Sequence, residues 1–192
     1  MEPRVPVQKR SREKVDRALR AADDLLEREG LAALTLPRVA DEAGVSVGAL
    51  YQYLPDREAI VAALSANYYA RLEARMSELV EQLLADPVPD PVAEVVAAMV
   101  QMYRDQTATR ALRAGLQGAG QLAMARAHKS RMVEMVHTLL RGYGMPDSAV
   151  AARAMFFAAD GIMHEAFAED ESGDEALIAE LETMLRAYLA GS

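Results

Sequence analysis

Between Thr35 and Asp56 the chain is punctuated so closely that few folds can accommodate it. In TLPRVADEAGVSVGALYQYLPD, Thr35, Ser46 and Asp56 are residue types that cap helix N-termini, and Pro37 suits only a first helical turn. Gly44 can take the positive φ that ends a helix, and Pro55 blocks continuation. The interval therefore holds two short helices, at about 36–43 and 47–53, joined by three residues. Two short helices joined through a glycine make a helix-turn-helix. Ala40 stands where two such helices approach most closely, and Val39, Ala43, Val45 and Leu50 supply the apolar contacts that set their crossing.

The rest of the chain is helical by the same criteria. Val15, Ala18, Leu19, Ala22, Leu25 and Leu26 recur at three- and four-residue spacing, predicting a helix over 12–29 ended by Gly30. A long helix follows Asp56 to about Leu84, roughly 43 Å at 1.5 Å per residue. DPVPDP, residues 86–91, is a turn, because prolines cannot sit in a helix interior. Further helices are expected at about 91–106, 109–115, 119–143, 147–169 and 174–189, with no strand-like alternation anywhere. The fold class is all-α, about nine helices: residues 1–56 form an N-terminal arm and three-helix helix-turn-helix unit, and 57–192 a helical second domain.

Charge divides the chain in the same way. The net charge is −8, yet residues 1–20 carry seven basic and three acidic side chains, while 61–192 carry 11 basic and 18 acidic. A basic arm on an acidic body directs any polyanion to the N-terminal end. The outer face of the second short helix offers Ser46, Val47, Gly48, Ala49, Tyr51, Gln52 and Tyr53. Small residues would let its backbone enter a DNA major groove, Gln52 could read adenine, and tyrosine hydroxyls could bond phosphates. Arg57 adds a cation at the start of the next helix. The alternative is a helical protein-interaction module whose helix-turn-helix is purely structural.

LAALTLPRVADEAGVSVGALYQYLPDREAIVAAL resembles the DNA-binding head of the tetracycline-repressor family: Thr, an apolar–Ala pair, Gly-Val-Ser, Gly-x-Leu-Tyr-x-Tyr and a following basic residue agree in spacing. The likeness covers about residues 10–64. It implies that Thr35, Ser46, Tyr51, Tyr53 and Arg57 contact phosphates and that Val47, Gly48, Ala49 and Gln52 face base edges. Two positions depart from the pattern. Pro37 stands where some members carry a polar base reader, leaving Arg38 as that helix's only strong donor, and Leu54 replaces the more usual Phe.

The resemblance further implies a homodimeric, ligand-responsive transcriptional regulator, most naturally a repressor released from operator DNA by a small, largely apolar effector. The long helix after Asp56 would act as the lever. Residues 151–167 are apolar nearly all round and Leu177, Leu181, Met184, Leu185 and Tyr188 form one stripe, so the last two helices are expected to pair with those of a second subunit. Replacing Leu181 and Leu185 with Glu should then give soluble monomers. Met99, Met102, Tyr103, Gln117, Met124, Phe157, Asp160 and His164 are the candidate effector-binding residues, flexible thioethers and aromatics with a few polar groups.

Catalysis is not expected. The chain has no Cys and three His; Glu134 and His137 have the Glu-x-x-His spacing of di-iron bundles, but no second such pair exists. No Gly-rich phosphate loop or nucleophile elbow is present. No metal and no cofactor are expected. Without a 20-residue apolar run or a signal-peptide core, a soluble cytoplasmic protein without membrane contact is expected.

Overall fold

The computed structural model describes residues 7–104, 119–145 and 148–191. Among them are eight α-helices and no strand: α1 Val7–Glu29, α2 Leu36–Glu42, α3 Val47–Tyr51, α4 Arg57–Ala85, α5 Pro91–Arg104, α6 Ala119–Gly142, α7 Ala149–Ala166 and α8 Glu175–Ala190. The all-α reading holds. The helix expected at 109–115 lies outside the described residues.

Two details differ from expectation. α1 starts at Val7 rather than 12, and a 3-10 turn, Leu31–Ala33, follows it. α3 stops at Tyr51, because Pro55 disfavours a helical conformation in the residue before it, so Gln52 and Tyr53 form a turn closed by Leu54 N–H to Leu50 C=O at 2.9 Å.

The chain divides into two compact units. In described residues, the first holds 7–68 and 119–122, and the second 69–104, 123–145 and 148–191. In the first, α1 packs on α2 and α2 on α3 around a core that includes Leu25, Leu26, Leu34, Val39, Leu50 and Ile60. Gly44 has φ 62°, and Val45 N–H reaches back to Ala40 C=O at 2.9 Å, the closing bond of a glycine-terminated helix. Ala40 is buried at the crossing, as expected.

In the second unit α8 packs on α5 and α7 over Val96, Ala152, Met163, Phe167 and Leu181. Here the sequence reading needs correction. Leu181 is fully buried and Leu185 nearly so within the single chain, so charged substitutions there would disrupt the monomer's own core rather than release a partner. The exposed apolar side chains of these helices are Val150, Phe157, Met184 and Tyr188. Met184 and Leu185 are neighbours in sequence but lie 100° apart on the helix, which places one outside and the other inside.

Among the described residues no helix is long and apolar enough to cross a membrane, and no cluster of three His, Cys, Asp or Glu side chains could hold a metal ion.

Candidate functional site

α3 is only five residues long, and its position depends on its two ends and one anchor. Ser46 caps it, with Ala49 N–H donating to Ser46 Oγ at 3.3 Å, while Leu50 is buried against the first unit's core. The opposite side is open: Tyr51 is 61% exposed, Tyr53 47% and Val47 43%, and Ser46, Gly48 and Gln52 are exposed too. A Cβ built on Gly48 would meet nothing within 4 Å, so the fold itself does not require glycine there. Ala49 is half-buried.

Thr35 occupies the N-cap position of α2 in extended backbone, but its side chain makes no capping bond and is exposed. Arg38 is not a free donor. Both its terminal nitrogens donate to the Glu29 carboxylate at 2.7 Å, which holds Glu29 below and Arg38 above their ordinary pKa values. Beside it Arg28 donates to Glu42 at 3.1 Å. Arg57 donates to the Leu31 carbonyl at 2.8 Å, tying the start of α4 to the 3-10 turn, and Asp56 caps α4 through Ala59 N–H at 2.7 Å.

The second unit contains a cavity of about 80 Å³ between helices α4 to α8, lined by Met76, Val92, Val95, Met99, Met132, Val136, Met155, Phe156, Ala159, Leu185 and neighbouring apolar groups. Tyr143 is the one lining residue with a side-chain polar atom. Its hydroxyl is already engaged, donating to Leu83 C=O at 3.3 Å and accepting from Val88 N–H at 3.0 Å. The cavity therefore offers shape and apolar contact with no spare hydrogen-bonding group among its side chains.

Of the candidate effector residues, Met99 lines this cavity. Met102 is buried nearby in a cluster with Met76, Met132 and Phe156. Tyr103, Asp160 and His164 lie apart, in a polar chain: Tyr103 Oη to His164 Nδ1 at 2.9 Å, His164 beside Asp160, and Lys129 Nζ to Asp160 Oδ2 at 2.7 Å. Phe157 is 47% exposed with Lys129 Nζ 5.4 Å from its ring centre. Met124 is half-buried, and Gln117 lies outside the described residues. Sequence reading missed Met132, Val136 and Met155. Their helical spacing was visible, but a cavity shared by five helices leaves no mark on any one of them.

Two family models match the sequence. "Bacterial regulatory proteins, tetR family" matches residues 18–64, and "Tetracyclin repressor-like, C-terminal domain" matches residues 87–189, more than half the chain. The chain belongs to the TetR family. This TetR-family protein is a DNA-binding transcriptional regulator and not an enzyme. Operator DNA and a second copy of the chain are the partners of such a regulator. No curated protein matches its sequence. Solved structures do. A transcriptional regulator from Rhodococcus sp. Rha1 aligns at 23% identity and TM-score 0.70 over 92% of this chain and 96% of its own. The multidrug binding protein EbrR, complexed with imidazole, aligns at 21% and 0.70 over 98% and 97%. SmeT, the repressor of a Stenotrophomonas maltophilia multidrug efflux pump, aligns in its triclosan complex at 21% and 0.64 over 93% and 90%. At these identities the likeness shows a shared fold.

Proposed function

We propose that this TetR-family regulator is a cytoplasmic repressor that reads DNA with α3 and is released when a small, uncharged, apolar molecule enters the cavity of its second unit. Residues 1–56 serve as the DNA-binding domain and 57–192 as the effector and dimerisation domain. Tyr51, Tyr53, Ser46, Thr35 and Arg57 bind phosphates, while Val47, Gly48, Ala49 and Gln52 face base edges. The observation that carries the reading is the open side of α3. Tyr51 and Val47 stand in solvent on a helix anchored by a single buried leucine, Tyr53 is exposed in the turn after it, and a glycine sits there with no packing reason to be one.

The cavity's lining supports the effector class. With no charged side chain and its one hydroxyl saturated, it would penalise any ligand group that needs a hydrogen bond. At about 80 Å³ it is roughly half the ~150 Å³ engineered cavity that takes benzene in another protein, so even a single-ring ligand must spread the helices. Triclosan binding by SmeT and imidazole binding by EbrR support small cyclic effectors as the class to screen. Met76, which lines the cavity, and Arg57 belong to the same helix, α4, which is the candidate lever.

Fluorescence anisotropy against a duplex from upstream of the protein's own gene tests the DNA assignment. Gly48→Leu should leave the thermal midpoint unchanged or raised, since Gly is disfavoured in helices by about 1 kcal/mol, and should lose at least tenfold in affinity. Undiminished binding by Gly48→Leu would remove α3 from the interface.

A further inference from the structure

The head's arginines are partnered unequally. Arg57 is held by a neutral carbonyl, whereas Arg38, the only cation of α2, is held by a carboxylate in the two-point geometry a guanidinium uses for phosphate. Arg28 and Glu42 form a second pair through a single contact at 3.1 Å, so α1 and α2 are joined by two crossed pairs with no net charge. These pairs are in solvent: Arg38 and Glu29 side chains are 46% and 40% exposed. A pair so exposed is screened by water and contributes little net stability, so a phosphate can displace it.

We propose that Glu29 is an internal competitor for DNA phosphate at Arg38, lowering the regulator's affinity for DNA and its dependence on salt. Glu29 presents to the guanidinium the same pair of acceptor oxygens that a phosphate would. While that pair is closed, α2 offers DNA no cation, and its neighbours Asp41 and Glu42 are acidic. Opening it frees a two-point phosphate contact and leaves a carboxylate facing the duplex, an unfavourable exchange. Removing the carboxylate therefore makes Arg38 available at no electrostatic cost. The inference rests on the reading that α2 and α3 face DNA.

The effect concerns phosphates rather than bases, so a random-sequence 30-base-pair duplex serves as the probe, titrated by anisotropy from 50 to 200 mM salt. Glu29→Gln keeps a hydrogen-bond acceptor at the end of α1, and a thermal melt confirms that the variant is folded. It should bind about two- to fivefold tighter at 50 mM, with a salt slope steeper by roughly 0.9 per subunit, the value for one added phosphate contact. In the Arg38→Gln background the same change should have no effect. A carboxylate that served only to brace α1 on α2 would weaken binding when removed. The inference is overturned if Glu29→Gln binds no tighter with an unchanged slope, or if its gain survives in the double variant. Salt-dependent wild-type binding that is indifferent to Tyr51→Ala and Gln52→Ala overturns the assignment of the face, and the inference with it.

Discussion

Glu73→Gln removes one negative charge from the most buried polar cluster of the second unit. Glu73 on α4 accepts from Arg131 at 2.7 and 2.8 Å and from His128 Nδ1 at 2.8 Å, both on α6, and His128 is stacked on Tyr69 with ring centroids 4.3 Å apart. His128 is 7% exposed. The Arg131 side chain is half in solvent, so screening by water leaves its share of the loss small. A hydrogen bond from a buried group to a charged one contributes about 1.5–3 kcal/mol, of which Gln retains a neutral part. About 2 kcal/mol is the expected sum, or a fall in Tm of roughly 4–8 °C for a chain of this size at fixed protein concentration.

The pH dependence gives a second, independent readout of the same cluster. Burial lowers the His128 pKa from 6.5, opposed chiefly by its hydrogen bond to Glu73. The unfolded chain therefore takes up a proton below about pH 6.5 while the folded His128 resists, and stability falls with pH by up to about 1.4 kcal/mol per unit until the folded group titrates. Glu73 acts in the same direction at lower pH. Burial raises its pKa, but the bonds from Arg131 and His128 outweigh this and lower it from 4.5, so its contribution is present above 4.5 and is lost as pH falls through the folded value. Without the Glu73 carboxylate His128 is held lower still, which widens its acid-labile window. Melts by circular dichroism at pH 7.5 and 5.0 should show the gap between wild type and Glu73→Gln growing on acidification. An unchanged Tm at pH 7.5, or a gap that shrinks at pH 5.0, would refute the reasoning.

Three further outcomes are expected. Gly173→Ala should lose about 2–4 kcal/mol in denaturant titration, because Gly173 has φ 84° and its added Cβ would fall 2.6 Å from the buried Phe167 ring. Phe157→Glu with Met184→Glu should give folded monomers in sedimentation, since both side chains are exposed, whereas Leu181→Glu should abolish the cooperative melt. Ala159→Leu, which fills the apolar cavity, should raise Tm by a few degrees and cancel the stabilisation that small cyclic ligands confer on the wild type.

What could be read from residues alone followed from forces that act within one helical turn. Ser46 and Asp56 cap because a short oxygen-bearing side chain reaches an amide three residues on, and both do so in the structure. Gly44 turns the chain because only glycine adopts positive φ without strain, so the two short helices and their junction were legible before any coordinates. Ala40 and Leu50 were assigned inward by spacing and lie inward.

Tertiary packing decided everything that depends on what stands opposite a face. Periodicity marked an apolar stripe on α8, but only the position of α5 and α7 separates the buried Leu181 and Leu185 from the exposed Met184 and Tyr188. Arg38 looked like a free donor because its partner, Glu29, sits nine residues away on another helix. Asp160 and His164 have Lys129 and Tyr103 beside them, partners on other helices that no spacing along one helix announces. Capping and turn preferences belong to the local backbone and are written in consecutive residues. Ion-pair partners and cavities arise where separate helices meet, and their physical cause lies in that meeting.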